Sequence, residues 1–443
     1  MEQPNAEPVK VFGEDELIKL IEDSESSDRD IYKSIKWFRK TLGRKHFAPH
    51  LCYLLKKHMT KLEEHHEVLV KTFKDKHGNE LISTLAKIKD LEAFIKQIAE
   101  IPGIKKPILI LGADGNTNQC VISGIIREEG EDDMEDGESD YNFNGVKRVL
   151  MLAKVDGIPE TYANVKILLD SLDLPKLSKS FKIVCNLKMI NIILGIQSCS
   201  AMFGCPFCEG YKINEKGNKT NKRGKWVKKD LRTVSNLTAH FNEYKDKGCE
   251  NRKNLKNFKN VEFQPIKLKE NTGDEWVGKT LPPAPLHTNL LGPGNDVLEK
   301  MEEVYDEQME LFYKVHCLKK TGEGAGGKFN GPSIKTVLKN LKYLEDMLPM
   351  EGFDFVEYLQ CLKEVHNMCI AETFDENYQV LIDDFKCKFF TLYDKYKLNM
   401  PLKVHVIVDH YSDYFKQTGK NFRLTNDEHH EAIHHTLKVF EAK

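Results

Sequence analysis

The sequence predicts an α/β protein whose mixed β-sheet core is interrupted by a large, mainly helical insertion. Between residues 106 and 198, strand-like and amphipathic helical segments follow the order β-β-β-α-β-α. From about residue 210 to 400 the chain is mostly polar, with helical periodicity. We therefore expect four regions, which are a helical N-terminal region (1–103), the core (104–200), the insertion (201–400) and a C-terminal segment (401–443).

The composition is that of a globular protein. Of the 443 residues, 40% are hydrophobic and 30% are charged, and this length suits two or three domains, or one domain with a large insertion. No apolar run is long enough to cross a bilayer, and the first residues, MEQPNAEPVK, lack the apolar stretch of a secretory signal. The eleven cysteines are unevenly spaced and include one Cys-x-x-Cys. This pattern indicates a reducing compartment and a metal site rather than a disulfide framework.

The N-terminal region has helical periodicity from residue 14 to residue 100, with few strand signals. The segments that carry it are EDELIKLIED, DIYKSIKWFRKTL, APHLCYLLKKHMTKLEEHHEVLVKTF and LISTLAKIKDLEAFIKQIAEI. Pro102–Gly103 ends this region. We expect it to be helical throughout.

The core follows in six segments. KPILILGAD is a buried-strand run, TNQCVISGIIRE alternates, and KRVLMLAKVDG is a third strand. The amphipathic helix ETYANVKILLDSLDL, the strand SFKIVCN and the helix LKMINIILGIQS come next. An acidic stretch at 128–140 is expected to be a solvated loop between the second and third strands. This order is that of an RNase H-like core.

The insertion is expected to contain several helices, at 297–316, 334–347, 353–370 and 375–397. It opens with a basic stretch at 212–232 that holds nine Lys or Arg against two acidic residues. Alone, such a stretch indicates an exposed, mobile loop. In a nucleic-acid-binding protein it is also a candidate surface for phosphate contacts. The residues proposed for that role are Lys219, Lys222, Arg223, Lys225, Lys228 and Lys229.

Three positions are candidates for catalysis. An RNase H-like nuclease brings carboxylates around two divalent ions, Mg²⁺ or Mn²⁺, which lie about 3.5–4 Å apart. Asp114 ends the first strand, although an aspartate before glycine is also a common turn residue. The corresponding position after the fourth strand is Asn186, whose amide can ligate a metal ion but brings no negative charge. Glu431 is the candidate from a late helix, where it also has the pattern of a surface glutamate.

A metal site is predicted from two separated pairs. Cys205 and Cys208 form a Cys-x-x-Cys, which supplies half of a tetrahedral Zn²⁺ shell. His405 and His410 have the spacing of the other half. Residues five apart do not share one face of an α-helix, so we place the histidines at a helix end or bend. The alternatives are a redox or buried cysteine pair and a strand, VHVIV, with one inward histidine.

These motifs resemble the Transib transposases and the larger recombination-activating protein of antigen-receptor gene assembly, over about residues 106–440. In that family an Asp-Gly ends the first strand, like Asp114-Gly115, and the second catalytic Asp precedes the zinc cysteines by nineteen residues, as Asn186 precedes Cys205. Leu286-His287-Thr-Asn-Leu-Leu-Gly292 looks like the family's LH-x₄-G segment. The family's zinc histidines are H-x₄-H, like His405 and His410, and its catalytic Glu follows about twenty residues later. In this chain Glu431 lies twenty-one residues after His410.

The resemblance implies metal-dependent DNA cleavage and strand transfer, with structural Zn²⁺, double-stranded DNA as the partner, a homodimer and residence in the nucleus. It assigns the triad to positions 114, 186 and 431, and makes His287 a polar assistant. Two features depart from the family. Asn186 replaces an acid, which argues against cleavage and fits a decayed or domesticated copy or a deliberate inactivating substitution. Residues 1–105 contain no clear zinc finger or recognition helix.

Two other functions fit parts of the sequence. The first is a zinc metallopeptidase, because His430-Glu431-Ala-Ile-His434 matches H-E-x-x-H. Only nine residues follow His434, and Glu441 is the one acid among them that is spaced for a third ligand. The second is a non-enzymatic module that keeps the zinc-stabilised fold and binds DNA or another protein.

Overall fold

A computed structural model describes residues 65–100, 105–115, 118–128, 150–220, 222–247, 252–269, 273–320, 328–371 and 373–425. Within these residues the chain forms a six-stranded mixed sheet with flanking helices, followed by a mainly helical C-terminal half. None of the described helices combines the length and the apolar character that a bilayer crossing requires. The acidic stretch at 128–140 lies outside the described residues except for its first position.

The sheet has the strand order β1-β2-β5-β4-β3-β6. Its strands are β1 (His66–Lys74), β2 (Glu80–Ile88), β3 (Pro107–Gly115), β4 (Gln119–Glu128), β5 (Leu150–Asp156) and β6 (Phe181–Val184). The pairing of β3 with β6 is parallel, and the other four pairings are antiparallel. The four strands predicted for the core are therefore present, and they occupy adjacent places in the sheet.

The helical prediction for residues 66–88 is wrong, because this part of the chain is the β1–β2 hairpin. Successive side chains of a strand point to opposite sides, so Val68 and Val70 lie on one face of β1 and Leu69 and Phe73 on the other. The turn is closed by Asp75, whose Oδ1 accepts hydrogen bonds from the backbone N–H groups of His77 and Asn79 at 2.8 Å. Short apolar runs are compatible with both helical and strand periodicity, so the turn residues are the more informative sequence signal for this hairpin.

Three helices pack with the sheet, namely α1 (Leu91–Glu100), α2 (Tyr162–Ser171) and α3 (Leu187–Ile193). Their apolar residues share one continuous core with Leu109 and Leu111 of β3 and with Phe181 of β6. On the opposite face of the sheet, Ile110 and Val184 form a small separate cluster with Ala284 from the helical half. The sheet is thus covered on both faces at β3 and β6.

The insertion begins with strands rather than helices. A two-stranded sheet, β7 (Tyr211–Ile213) and β8 (Lys225–Val227), precedes the first helix of this half. The helices are α4 (Val234–Asp246), α5 (Asn295–Val304), α6 (Asp306–Val315), α7 (Gly331–Lys339), α8 (Leu341–Met347), α9 (Phe353–Ile370), α10 (Tyr378–Tyr396), α11 (Leu402–His405) and α12 (Tyr411–Thr418). Two π-helical segments, Leu286–Gly294 and Val406–His410, precede α5 and α12.

The predicted helices of the insertion are present, with two corrections. The segment at 297–316 is split at Tyr305, which adopts a non-helical conformation, and the segment at 334–347 is split at Asn340. The predicted helix over 353–370 coincides with α9, and the one over 375–397 contains α10. Helices of this length carry several turns of apolar periodicity, which makes them readable from sequence.

Candidate metal centre and acidic sheet edge

The four predicted metal ligands lie together in the interior. Cys205, Cys208, His405 and His410 are each 0% exposed, and their ligand atoms all lie within 4.8 Å of one another. The Sγ–Nε2 distances are 3.4 Å for Cys205 to His410 and 3.4 Å for Cys208 to His405, and the two Nε2 atoms are 3.3 Å apart. A tetrahedral zinc ion with bonds of about 2.0–2.3 Å needs ligand separations of roughly 3.3–3.8 Å. The cluster therefore fits a tetrahedral metal ion such as zinc.

The cysteine pair is held in a tight loop between α3 and β7. The backbone N–H of Gly210 donates to Cys208 Sγ at 3.3 Å. A Cβ atom added to Gly210 would lie 2.7 Å from the carbonyl oxygen of Val227 and 2.9 Å from Cys208 Sγ. Glycine is therefore required at this position, because any side chain would push the loop away from the thiolate and from β8.

A π-helical turn aligns the two histidines. The helix that starts at Leu402 changes to a π-helix over Val406–His410 and returns to α-helix at Tyr411. A π-helix has more residues per turn than an α-helix, so positions five apart come to the same side. The expected helix end or bend at this site is thus a π turn inside one helical run.

Two carboxylates orient the histidine rings. Asp409 Oδ2 lies 2.7 Å from His405 Nδ1, and Asp413 Oδ2 lies 2.9 Å from His410 Nδ1. Each Nδ1–H therefore donates to a carboxylate, which leaves each Nε2 lone pair directed at the cluster. Burial would raise the pKa of Asp413, but hydrogen bonds from His410 and Lys228 outweigh it and lower that pKa. The spacings H-x₃-D and H-x₂-D were the sequence signals for this pair.

Within the cluster, the pKa values of the two cysteines are shifted in opposite directions. A hydrogen bond from Cys205 holds the pKa of Cys208 far below the usual thiol range, against the effect of burial. Burial raises the pKa of Cys205. Burial alone would lower the pKa of His405, but its bonds to Asp409 and Cys208 raise it to about 9. A bound metal cation takes the place of these shared protons.

A buried arginine donates hydrogen bonds to the backbone of the cysteine loop. Arg232 is 0% exposed, and its Nε donates to the carbonyl oxygens of Cys205 and Cys208 at 2.9 and 3.0 Å. Its Nη2 donates to the carbonyl oxygens of Phe203 and Lys259 at 2.9 and 3.0 Å. Burial lowers the pKa of this guanidinium, and the nearby thiols of Cys205 and Cys208 act in the opposite direction. This arginine of the basic stretch is a structural residue of the metal centre.

Aromatic rings enclose the metal centre. The Trp226 ring stacks on the His405 ring at 5.0 Å with an interplanar angle of 9°, and Phe207 lies 5.5 Å from His410. The Trp276 Nε1–H donates to the carbonyl oxygen of Phe207 at 3.1 Å. Because these rings exclude water, the ligands are held in a dry, rigid setting of the kind that suits a structural ion.

Several other basic residues of the stretch pack against neighbouring elements. Arg223 Nε donates to the carbonyl oxygen of Leu398 at 2.9 Å, and Lys225 lies 3.7 Å from Asp394 and above the Phe390 ring. Lys228 Nζ lies 2.6 Å from Asp413. Lys219 and Lys229 both lie above the ring of Tyr211. These described side chains of the stretch are therefore packed against the fold around the metal cluster, and contact of the stretch with DNA remains a prediction.

The structure brings two of the three predicted catalytic positions to one edge of the sheet. In the parallel pairing of β3 with β6, Gly112 lies opposite Val184. Asp114 and Asn186 each follow two residues later, so they leave neighbouring strands at the same edge. Glu431 lies outside the described residues, as do His430, His434 and Glu441. The triad and the peptidase motif remain predictions at those positions.

Asn186 has a clear structural task. It is the N-cap of α3, and its Oδ1 accepts a hydrogen bond from the backbone N–H of Met189 at 2.9 Å. Asparagine and aspartate are equally good N-caps. The helix therefore does not explain why an amide is present at this position instead of an acid.

Glu160 and Lys188 complete this edge, and neither was predicted. The Glu160 side chain is 2% exposed and its Oε2 accepts a hydrogen bond from Lys188 Nζ. Its Oε1 is buried and has no hydrogen-bond partner among the described residues. The pKa of Glu160 is raised overall, because the effect of burial, together with the nearby charge of Asp114, outweighs the lowering effect of Lys188. Burial, helped by Glu160 and Asp114, also raises the pKa of Cys120 to about 12.

The predicted assistant His287 lies in the first turn of the π-helix Leu286–Gly294, where it is half-buried. This segment contacts α11, and a Cβ on Gly292 would lie 2.1 Å from the Lys403 side chain. The π-helix is thus packed directly beside the helix that carries His405 of the cluster. The role of His287 in catalysis remains a prediction.

Comparison of the chain with protein-family models and with curated proteins gives no match. Function is therefore argued from the chemistry of the metal centre and of the sheet edge.

Proposed function

We propose that the chain is a transposase-derived DNA-binding protein with an RNase H-like core, stabilised by structural Zn²⁺ and without strand-cleaving activity. The observation that carries the proposal is the cross-chain cluster of Cys205, Cys208, His405 and His410. The transposase-like spacing selected these four residues, which are separated by up to 205 positions, and their ligand atoms meet. Unrelated pairs of cysteines and histidines have no physical reason to converge in this way.

The strand order supports the RNase H-like assignment. Three consecutive antiparallel strands, β3, β4 and β5, lie in that order away from β6, which runs parallel to β3. A helix connects the third strand to the returning strand. This arrangement places the ends of β3 and β6 side by side, as two carboxylates on neighbouring strands require for binding shared metal ions.

The chemistry of the edge argues against cleavage. A two-metal mechanism needs anionic oxygens to bridge two divalent cations, and Asn186 offers a neutral amide that is already engaged with Met189. The ammonium of Lys188 lies against Glu160, so a built-in cation partly neutralises the acidic edge. Both features favour DNA binding without strand cleavage. The Mg²⁺ or Mn²⁺ of the ancestral reaction would have only Asp114 and Glu160 as described anionic ligands here.

Zinc has a structural role in this proposal. It joins the loop before β7 to the helical run at 402–418, which directly precedes the segment that contains Glu431. Four protein ligands leave no open coordination position, which is characteristic of structural zinc. Double-stranded DNA is the proposed partner, with the basic side chains near β7 and β8 as phosphate contacts. We propose a nuclear homodimer on the resemblance alone.

Binding of the full chain to a fluorescent DNA duplex over a series of salt concentrations tests the proposal. We expect affinity that falls steeply with salt and persists in the presence of EDTA at concentrations that leave the zinc in place. We expect no Mn²⁺-dependent nicking by the wild-type chain. Absence of any DNA affinity at low salt would reject the DNA-binding proposal and favour a protein-binding module. Nicking by the wild-type chain that a variant Asp114→Asn abolishes would reject the non-cleaving assignment.

A reversion separates a decayed catalytic site from a different one. We expect Asn186→Asp, combined with Lys188→Met, to increase binding of Mn²⁺ at the edge, because it adds one carboxylate and removes the competing ammonium. Lys166→Met is the matched control, since Lys166 pairs with Asp170 on the surface of α2. A double variant that binds Mn²⁺ no better than the control would contradict the assignment of this edge as the ancestral metal site.

A further inference from the structure

A cavity of about 260 Å³ lies next to the metal centre, between the end of α3, the first turns of α4 and residues 264–269. Apolar cavities of about 150 Å³ in proteins can hold benzene, so this volume is sufficient for a molecule the size of two fused rings. Buried apolar side chains form most of its walls, namely Leu194, Ile266, Leu268, Trp276, Val277 and Leu281. Cavities with such walls and a few polar groups are the usual sites for small molecules.

Trp276 is a fixed wall of this cavity. Its Nε1–H donates to the carbonyl oxygen of Phe207 at 3.1 Å, and its ring centroid lies 6.4 Å from that of His410. The next residue, Val277, donates its backbone N–H to the carbonyl oxygen of Arg232 at 3.0 Å. These contacts tie the wall to the residues that hold the metal cluster. The wall is therefore in place before a ligand binds, which reduces the entropic cost of binding.

Residues 264–269 form another wall, and their backbone is bound to the core. The N–H of Ile266 donates to the carbonyl oxygen of Ile193 at the end of α3 at 2.9 Å. Apolar and basic residues alternate along this segment, so its apolar side chains are buried while Lys267 is exposed and Lys269 is half-buried. Both lysines line the cavity. The segment therefore supplies apolar surface inside the cavity and positive charge at its mouth.

Lys269 is the polar group that decides which ligands the cavity suits. Its Nζ lies 5.1 Å from the centroid of the Phe181 ring, and no carboxylate of the described residues lies within 4.0 Å of it. Burial lowers the pKa of Lys269, and the charges of Glu275 and Lys182 act on it in opposite directions. Glu275 is itself paired with Lys279 at 3.4 Å. A half-buried ammonium without an ion-pair partner is costly, and an anionic ligand would offset this cost.

We propose that the cavity binds a small organic carboxylate, whose apolar body packs on Trp276 and whose carboxylate pairs with Lys269. The charge at the mouth selects for an anion, since Lys267 adds a second positive charge and Glu275 is already paired. A cation of the same size meets like charge, and a neutral molecule leaves Lys269 without a partner. The described lining residues include none from the sheet edge or from the basic stretch at 212–232, so this site is independent of DNA binding.

Saturation-transfer NMR titrations of the full chain with three matched naphthalenes test the class of ligand. The probes are 1-naphthoate, the neutral 1-naphthalenemethanol and the cationic 1-naphthylmethylammonium. We expect 1-naphthoate to bind at least about tenfold more tightly than the other two, because it alone pairs with Lys269. Lys269→Met keeps the apolar stem but removes the charge, so it should abolish this preference. Lys342→Met is the matched control and should retain it, since Lys342 pairs with Glu345 at 3.0 Å on the surface of α8.

Two more variants test the location of the site and the source of its anion. Thr238→Phe enlarges a half-buried side chain of α4 that lines the cavity, so it should weaken binding of both 1-naphthoate and 1-naphthalenemethanol. Glu270→Gln removes the carboxylate that follows Lys269 in the sequence, outside the described residues, and should leave the affinity for 1-naphthoate unchanged. Absence of binding, equal affinities for the three probes, or a preference that survives Lys269→Met would refute the site. A gain of at least about tenfold in Glu270→Gln would show that the chain's own carboxylate pairs with Lys269, and would equally overturn the proposal.

Discussion

The carboxylates that hydrogen-bond to the two histidines of the metal cluster give the sharpest quantitative prediction. Asp413→Asn keeps the size of the side chain but removes the negative charge that accepts from His410 Nδ1 at 2.9 Å. Loss of such a partner weakens metal binding about 10–100-fold, or roughly 1.4–2.7 kcal/mol. Asp413 also binds Lys228 at 2.6 Å, so the variant leaves that ammonium with the carbonyl oxygen of Asp409 at 3.1 Å. We therefore expect a loss in the upper part of this range.

Competition between the protein and a chromophoric chelator for Zn²⁺ at neutral pH measures this loss. Asp409→Asn should weaken binding in the same direction, because Asp409 holds His405 Nδ1 at 2.7 Å. Asp394→Asn is the matched control, since Asp394 is 71% exposed, pairs with Lys225 at 3.7 Å and is not among the hydrogen-bond partners of the zinc ligands. Unchanged zinc affinity in Asp413→Asn, or an equal loss in Asp394→Asn, would refute the proposed role of these carboxylates.

Three further substitutions test the supports of the two sites. Arg232→Met leaves four carbonyl oxygens, three of them in buried hydrogen bonds, without their shared donor. Urea unfolding should therefore show a loss of about 3–5 kcal/mol in stability, against roughly 1 kcal/mol for Arg223→Met. Equal losses would contradict this role of Arg232. The pKa of Glu160 is raised in the folded state from 4.5, so its contribution to stability is greatest below pH 4.5 and is lost as the pH rises through the folded-state pKa. Urea unfolding of Glu160→Gln should lack this decline, and parallel pH profiles for the variant and the wild type would refute the assignment. Gly210→Ala should lower both zinc affinity and thermal stability, because its Cβ would lie 2.7 Å from the carbonyl oxygen of Val227; an unchanged melting temperature would show that the loop adapts.

The sequence alone predicted the four core strands correctly because each is a short apolar run bounded by turn residues. It failed for β1 and β2, because Val68, Leu69 and Val70 form an unbroken apolar run in a segment that follows a helical pattern. Such a run lacks the two-residue alternation of a half-buried strand, so it does not stand out from the helical periodicity before it. The turn at Asp75 and Gly78 marks this hairpin and is the stronger sequence signal there.

The sequence was sufficient to predict the ligands of the metal centre, but not the structural features that position them. Cysteine and histidine spacing is a direct chemical signature, so Cys205 and His410 could be named without knowledge of the fold. The π turn between the histidines depends on packing against neighbouring helices, which local sequence does not report. Arg232 was assigned to a basic stretch because burial of a charge is decided by tertiary contacts. Glu160 was missed because its neighbour Lys188 is twenty-eight residues away.

An X-ray absorption spectrum at the zinc edge, recorded with the metal content of the purified full chain, tests the cross-chain cluster most directly. We predict one zinc ion per chain with two sulfur ligands at about 2.3 Å and two nitrogen ligands at about 2.0–2.1 Å. The variants Cys205→Ser and His410→Ala should both lose this signal, and His434→Ala should retain it. A metal-free chain, or a zinc shell of nitrogen and oxygen alone that persists without Cys205, would contradict the proposed centre and the fold that depends on it.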